Sequence, residues 1–417
     1  MEANRQQQII AGAPTVAVAA MKDDRTTPSL PPHLLVTSEL GKGAYGEVFL
    51  CDDLRDNSKV AVKWIRDFAR DPLFGKRILR EIRILAALDH ENLLKLQDLI
   101  PGPRTAPYTD VYIAMPYMQL DLHKVIYSRM KGELSERHAQ AFSCQILRGL
   151  KYLHSAGVVH RDLKPSNILV NKDCTLRIAD MGLARGRCSE EEELTDYVVT
   201  RWYRAPELML LPNGYFEAVD LWSVGCIHAE LLRRKPLFPG DNHVDMLRSI
   251  CGTMSFASER DLAWVPATSS ATEKVFAFVE SLNLDGIGAD PEQRKLSDRL
   301  AGASEMCLEF VRDLLAFDPT KRISASAALT HEYLVHLSNA EAETTAPETF
   351  AWDFDDFDPT RANLEERIFA ECVALHPELD IAAKPQAAEG GQRPLGPPPA
   401  RLPRGMPMQQ SASKAER

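Results

Sequence analysis

The 417-residue chain contains no run of about 18 apolar residues, the length a helix needs to cross a bilayer. No membrane span is therefore expected. Its eight cysteines form no CxxC pair and no Cys/His spacing suited to a metal. They read as reduced, buried thiols of an intracellular protein. An excess of positive charge is also missing: 49 Lys and Arg stand against 59 Asp and Glu, a net charge of −10. That balance argues against nonspecific nucleic-acid binding. No internal repeat is visible. The one candidate targeting stretch, IIAGAPTVAVAAM at 9–21, lacks a basic leading region and is interrupted by Pro14. It reads as a disordered arm rather than a signal peptide. What the chain does have is 45% hydrophobic content, ample for a sizeable core in a length exceeding one typical domain.

Composition changes along the chain. Residues 1–32 are rich in Gln, Ala, Thr and Pro, as a flexible arm would be. From His33 the pattern becomes strand-like, with GEVFLCDD and KVAVKWIR rich in β-branched and aromatic residues. KRILREIRILAALDH, 76–90, places Ile78, Ile82, Leu85 and Leu88 at helical spacing, which predicts an amphipathic helix. DVYIAMPYM, 110–118, reads as a strand running into a connector, after which the chain turns mostly helical. The tail from about 384 is Pro-rich and locally basic, a composition expected to be disordered.

Several motifs carry chemistry. GKGAYGEV, 41–48, is a G-x-G-x-x-G, which alone suits many tight turns and also dinucleotide folds. A dinucleotide site needs a helix after the glycines, whereas here they lead into GEVFL. A glycine-rich hairpin of this kind can lay backbone N–H groups over phosphates. In VAVK, strand alternation puts Ala61 and Lys63 on one face; Ala61 admits a flat ring and Lys63 reaches toward phosphates. Glu81 falls on the apolar stripe of the 76–90 helix, where an unpaired carboxylate is costly, and Lys63 is the natural cation for it. HRDLKPSNILV, 160–170, packs five polar groups ahead of a strand-like run. Asp162 can accept a proton, Lys164 can neutralise a phosphoryl group, and Asn167 can ligate Mg²⁺ through its amide oxygen. Asp180, in IADMGLAR, suits a hard-cation ligand on a mobile turn.

Gly41, Gly43, Gly46, Lys63, Glu81, Asp162, Asn167, Asp180 and the APE at 205–207 stand in the order and spacing of a eukaryotic protein kinase, which the chain resembles over roughly 34–335. The resemblance implies an α+β bilobal fold, with a β-rich N-lobe over 33–118 and an α-rich C-lobe over 119–335. ATP and Mg²⁺ would sit in the cleft between them. Lys63 and Glu81 would be the nucleotide-clamping pair, and Asp162 and Lys164 the catalytic groups. Asn167 and Asp180 would hold the metal. Nucleotide contacts would come from Gly41, Lys42, Gly43, Ala44, Tyr45, Gly46, Val48, Ala61 and Leu169. Met115 would be the gatekeeper, Pro116, Tyr117 and Met118 the hinge, and Asp121 would lie near the ribose. Glu207 and Arg322 would form an ion pair beneath the substrate segment, and Asp220 would orient the catalytic loop. One departure is DMG at 180–182 where the family has DFG, with Met181 replacing an aromatic that packs between lobes.

TDYVVTRWYRAPE, 195–207, resembles the dual-phosphorylation lip of mitogen-activated protein (MAP) kinases, in a TDY subtype. The resemblance implies that phospho-Thr195 gathers Arg80, Arg161 and Arg185, and that phospho-Tyr197 pairs with Arg201 and Arg204 to shape a site for proline after the target residue. It further implies a C-lobe insert near 250–295 and a C-terminal extension within 336–383 that returns to the N-lobe. Phe350, Trp352, Phe354 and Phe357 would anchor that extension ahead of an amphipathic helix. After HEYL, Asn339 and Ala342 stand where the family's docking acids are expected, with Glu341, Glu343 and Glu348 nearby as substitutes. The expected partners are protein substrates with Ser/Thr-Pro sites, an upstream MAP kinase kinase and phosphatases, with no nucleic acid and no membrane. A monomer in the cytoplasm or nucleus is expected. A cyclin-dependent-like kinase and a pseudokinase scaffold are the competing readings; Tyr197 opposes the first, and Lys63, Asp162, Asn167 and Asp180 oppose the second.

Overall fold

The computed structural model describes residues 26–43, 46–103, 109–128, 134–186, 201–210, 217–254 and 295–379, together with Leu262, Trp264, Val265, Ala277 and Ser281. Ala44, Tyr45, Thr195, Tyr197, most of the expected insert, nearly all of the N-terminal arm and the Pro-rich tail lie outside the described residues.

The strand-like opening folds as a five-stranded antiparallel sheet of β1 (Leu34–Gly43), β2 (Gly46–Asp53), β3 (Ser58–Ile65), β4 (Asp98–Pro101) and β5 (Val111–Pro116), in the order β1-β2-β3-β5-β4. The period of two divides β3 cleanly. Val60, Val62 and Trp64 join Phe49, Cys51, Tyr112 and Ala114 in a small core on one face. Trp64 is fixed there by its Nε1, which donates to Asp110 Oδ2 at 2.9 Å. Ala61 and Lys63 therefore face the other way, Ala61 opposite Met115 and Lys63 between Val48 and Ile113.

The first long helix, α1, spans Pro72–Ala87 rather than 76–90. Its start moves upstream because Pro72 suits the first helical turn and Asp71 caps it, accepting from Phe74 N at 2.8 Å. It stops sooner because Leu88 leaves the helical region for an extended one, φ −97° and ψ 127°. Ile78, Ile82 and Leu85 enter the core, as their spacing predicts.

The chain then becomes helical. β6 (Leu120–Asp121), α2 (Leu122–Tyr127) and α3 (Glu136–Ser155) lead to the short strands β7 (Val158–Val159), β8 (Ile168–Val170), β9 (Leu176–Ile178) and β10 (Arg185–Gly186). These pair as β6-β8-β9 and β7-β10. Next come α4 (Glu207–Leu210), α5 (Ala218–Arg233), α6 (His243–Thr253), α7 (Leu296–Arg299), α8 (Glu305–Leu314) and α9 (Ala325–Leu329). The architecture is α+β, a β-rich lobe followed by an α-rich one. One apolar core runs without a break from α1 and β5 through α3 and α5 to α8.

Among the described residues, two joints help to fix the lobes to each other. Leu94 N donates to Ile178 O, and Ile178 N to Asn92 O, each at 2.8 Å. Gly149 of α3 lets this joint close up: a Cβ there would lie 2.9 Å from Ile178 Cδ1 and 3.1 Å from Asn92 O. The second joint is the segment after Leu337, which crosses back to α1 and ends in α10 (Arg361–Leu375). Among the described residues, no helix is long and apolar enough to span a membrane, and the described cysteines are all free, with only Cys174 exposed.

Candidate active site

Alternation in β3 and helical spacing in α1 predict that Lys63 meets Glu81, and they meet. Lys63 Nζ lies 2.7 and 2.8 Å from the two Glu81 oxygens, in a buried position. Burial pushes the Glu81 carboxyl up, Lys63 opposes that, and the negative charge of Asp180 adds to it. Asp180 is thus close enough to be felt by the pair.

Above the lysine, Gly41, Gly43 and Gly46 flank the turn between β1 and β2. Of the three, Gly46 alone is forced: its φ is +145°, and a Cβ would collide with Trp64 O. Lys42 forms an ion pair with Glu47, which also accepts from Arg66 Nη2 at 2.7 Å. Burial acts to raise the Glu47 pKa, but the two cations outweigh it and hold the carboxyl below its ordinary range. Glu47 is a residue the sequence reading passed over, although a charged residue just inside a phosphate-type hairpin was a visible signal.

Below the sheet, Met115 and Met118 are buried and Tyr117 half-buried along the connector. Leu169 pairs in register with Asp121, which caps α2 by accepting from Lys124 N at 2.8 Å. Val48, Ala61, Met115 and Lys63 line one face of the sheet. Leu169 and Asp121 lie on the short strands where the chain enters the α-rich part.

The catalytic loop connects β7 to the single turn Pro165–Asn167. Lys164 Nζ donates to Asp162 Oδ2 at 2.6 Å. Asn167 Nδ2 donates to Asp162 O at 2.9 Å and more weakly to Oδ2 at 3.3 Å. Asp220, fully buried at the start of α5, clasps the loop from below: Oδ1 accepts from Arg161 N at 2.8 Å, and Oδ2 from His160 N at 2.9 Å. His154 Nε2 also lies 2.9 Å from Oδ2. Burial alone would raise the Asp220 pKa, but these partners bring it below the ordinary carboxylate value. Arg161 is held at φ +69°, an uncommon backbone for a side-chain-bearing residue. The His160 ring bridges onward, with Nε2 3.0 Å from Ala179 O.

Asp180 follows at φ +65° and ψ 68°. Ala179 N donates to Asn167 O at 2.9 Å, so Asn167 and Asp180 are drawn together by a backbone bond. Asn167 donates its amide nitrogen's N–H groups to Asp162, which leaves its oxygen end for a different partner. An amide oxygen beside a carboxylate is a hard donor set that fits Mg²⁺. A cation there would also relieve the negative charge that Asp180 exerts on Glu81. Met181 is buried in the shared core, and Gly182 packs against Arg77 of α1.

Glu207 and Arg322 pair at 2.5 and 3.0 Å, with the guanidinium lying over Trp222. Tyr203 Oη donates to buried Glu230 at 2.7 Å, as does Tyr127 Oη. Arg80, Arg161 and Arg185 are all buried, and β10 pairs Arg185 with Val159, two residues before Arg161. Arg201 and Arg204 are half-buried in the turn before α4. Arg80 is bound bidentately by Asp355, a residue that no periodicity or motif singles out. Of the substitute docking acids, Glu343 is spent locally, accepting from Asn339 N at 2.9 Å and Ser338 Oγ at 3.2 Å. Glu341 and Glu348 are exposed.

Residues 34–334 match the protein kinase domain family. The chain is 40% identical over 338 residues to mitogen-activated protein kinase 3 of Arabidopsis thaliana, covering 81% of this chain and 88% of that one. It is 42% identical over 342 residues to mitogen-activated protein kinase 6 of the same plant, with 81% and 82% covered. Against mitogen-activated protein kinase 1 of Oryza sativa subsp. japonica it is 41% identical over 339 residues, with 81% of each covered. A Lys–Glu clamp beneath a glycine hairpin, a clasped Asp/Lys/Asn loop and this likeness agree: the chain is a Ser/Thr protein kinase that belongs to the MAP kinase family.

Proposed function

We propose that this kinase phosphorylates Ser or Thr followed by Pro in protein substrates, and that phosphorylation of Thr195 and Tyr197 by an upstream MAP kinase kinase switches it on, with phosphatases reversing the switch. The observations that carry the reading are the burial of Arg80, Arg161 and Arg185 and the β7–β10 pairing that sets Arg185 opposite Val159, two residues before Arg161. Guanidinium groups bind phosphate side-on, and a phosphothreonine brings about −1.5 to −2 charge, more than the carboxylate that Asp355 already sets on Arg80. Arg80 adjoins Glu81 and Arg161 adjoins Asp162. A phosphate bound by both would couple the lysine clamp to the catalytic loop. Arg201 and Arg204 stand a few residues past Tyr197, suited to receive its phosphate.

In the transfer, Asp162 takes the proton of the attacking hydroxyl as its oxygen bonds to the γ-phosphorus and the bond to the ADP oxygen breaks. Oδ1 of Asp162 suits this, since Lys164 and Asn167 both address Oδ2. Lys164 faces the charge on the moving phosphoryl group, and Lys63 steadies the remaining phosphates. Asn167 and Asp180 would hold Mg²⁺, which would supply charge neutralisation on the phosphate oxygens. Gly41, Gly43 and Gly46 bring the hairpin backbone close to the phosphates, while Val48, Ala61, Met115, Tyr117, Met118 and Leu169 bound the base. We read the protein as a monomer of the cytoplasm or nucleus that acts on proteins, not on nucleic acid or membranes.

The test is activity on a Ser/Thr-Pro substrate with Mg·ATP before and after treatment with an activated MAP kinase kinase, with phosphosites mapped by mass spectrometry. Activity should rise with phosphate on Thr195 and Tyr197 and vanish in Asp162→Ala. Full activity with an unmodified lip would refute the regulatory reading.

A further inference from the structure

The buried Arg80 guanidinium has a carboxylate already on it. Its Nε and Nη2 each lie 2.7 Å from an oxygen of Asp355, a side-on bidentate pair between residues 275 positions apart. Arg80 retains only 2% of its side-chain exposure and Asp355 18%. The carboxylate is also rigidly placed. Asp355 closes the turn Asp353–Asp355, with its N–H on Trp352 O at 3.0 Å. Phe354 beside it is buried, under the Arg83 guanidinium at 4.7 Å. Trp352 packs on Gly186, whose Cβ, if it had one, would meet the indole at 2.9 Å. One end of this turn therefore touches the root of the lip next to Arg185, and the other end grips α1 one residue from Glu81.

We propose that Asp355 is a positioning residue for phosphoryl transfer: it stands in at Arg80 for the Thr195 phosphate, holding α1 in its Lys63-bonded position while the lip is unmodified. This rests on the reading that phospho-Thr195 meets Arg80. The chemistry of the substitution is direct. A carboxylate and a phosphate both pair side-on with a guanidinium, but the phosphate carries more charge and a third oxygen. Asp355 can therefore keep α1 seated without supplying the link to Arg161 that a phosphate would add. A second ion pair on α1, Arg83 with Glu371 at 2.5 Å, joins this helix to α10 and does not involve Arg80. It serves as an internal control for stapling alone.

The experiment compares Asp355→Asn, Asp355→Glu and Glu371→Gln with the parent protein, each with the lip unmodified and after phosphorylation, and again in a Thr195→Ala background. kcat and KM for ATP are measured alongside thermal melting. A charge-assisted bidentate pair sets the scale, so Asp355→Asn should lower basal kcat/KM for ATP roughly tenfold. The deficit should shrink to about twofold once Thr195 carries phosphate, Asp355→Glu should restore the basal rate, and Glu371→Gln should leave the ratio of phosphorylated to basal rates unchanged. An equal fractional loss in both lip states would overturn the proposal and leave Asp355 a structural staple. A rise in basal rate would overturn it too, by making the contact a restraint. Should phosphorylation fail to activate the parent protein, the switch proposed above is wrong; a basal loss in Thr195→Ala with an unchanged melt still supports a positioning role for Asp355, and an unchanged basal rate or a loss matched by an earlier melt overturns it.

Discussion

Asp220→Asn isolates what the buried clasp under the catalytic loop does. The carboxylate accepts two backbone N–H groups, from His160 and Arg161, on different oxygens. Asparagine has one acceptor oxygen and one donor group, so in either orientation an NH₂ faces a backbone N–H. One buried donor then loses its acceptor, at about 1–3 kcal/mol, and the surviving bond loses its charge assistance. A total near 3 kcal/mol follows, which for a chain of this size lowers the melting temperature by roughly 3–4 °C. The functional loss should be larger than that figure suggests. Arg161 is kept at φ +69° by the bond its N–H makes to Asp220, and relaxing it moves Asp162, the next residue. Displacement of a reacting group by about 1 Å can cost 100-fold. The expected outcome is kcat down about 100-fold, with KM for ATP changed less than about threefold because Lys63 and Glu81 are untouched. Steady-state kinetics at a temperature well below the melt would measure it. A variant that melts early but keeps its kcat would refute the reasoning, since the clasp would then be stabilising the fold without setting the loop.

Gly46→Ala should raise KM for ATP roughly tenfold and lower the melt by only a few degrees, because the new methyl meets Trp64 O and about 1–3 kcal/mol of backbone strain falls on the half-buried start of β2; an unaltered KM would show that the hairpin does not approach the nucleotide. His228 gives a pH prediction. It is fully buried between Ser143, Cys307 and Tyr333, and burial pushes its pKa down to about 3. The unfolded chain binds a proton there below about pH 6.5 and the folded chain does not, so stability falls as pH drops from about 6.5 toward 3, by up to about 1.4 kcal/mol per unit. Denaturant titrations across that range should show the slope, and His228→Gln should flatten it; an unchanged acid limb would assign the loss to other groups.

How much of this was legible depended on whether a periodicity or a motif carried it. Lys63 was placed by alternation, because Trp64 and Val62 had to fill the opposite face. Glu81 was placed by helical spacing, because it lies among Ile78, Ile82 and Leu85. Asp162, Lys164 and Asn167 came as a compact motif whose residues bond one another within six positions. Asp220 was reached only through family resemblance, since α5 is apolar on nearly every side and no face of it is marked. Asp355 was out of reach. DFDDFDP, 353–359, offers Asp353, Asp355, Asp356 and Asp358 in one short run, and nothing local says which of them turns inward. That choice is made by Phe354 entering the core and by the single turn it closes, both consequences of packing against α1. His228 was equally hidden, a polar residue in an apolar helix whose partners lie on three other segments.

The buried acids share a geometry that explains why the site tolerates so little change. Glu81 joins α1 to β3, and Asp220 joins α5 to the catalytic loop. Glu207 ties the segment after the lip to Arg322, and Glu230 gathers Tyr203 and Tyr127 onto α5. Each is desolvated, so none is an economical way to stabilise a fold; an apolar pair of equal volume would serve stability as well or better. What a buried acid with two or three fixed donors provides is a single allowed arrangement, because any displacement leaves a charge or an N–H unsatisfied at several kcal/mol. Phosphoryl transfer depends mainly on such placement, with little covalent chemistry left to the protein. The site is therefore assembled by ionic joints between segments remote in sequence. Replacing any one of these acids with its amide should impair turnover before it impairs folding.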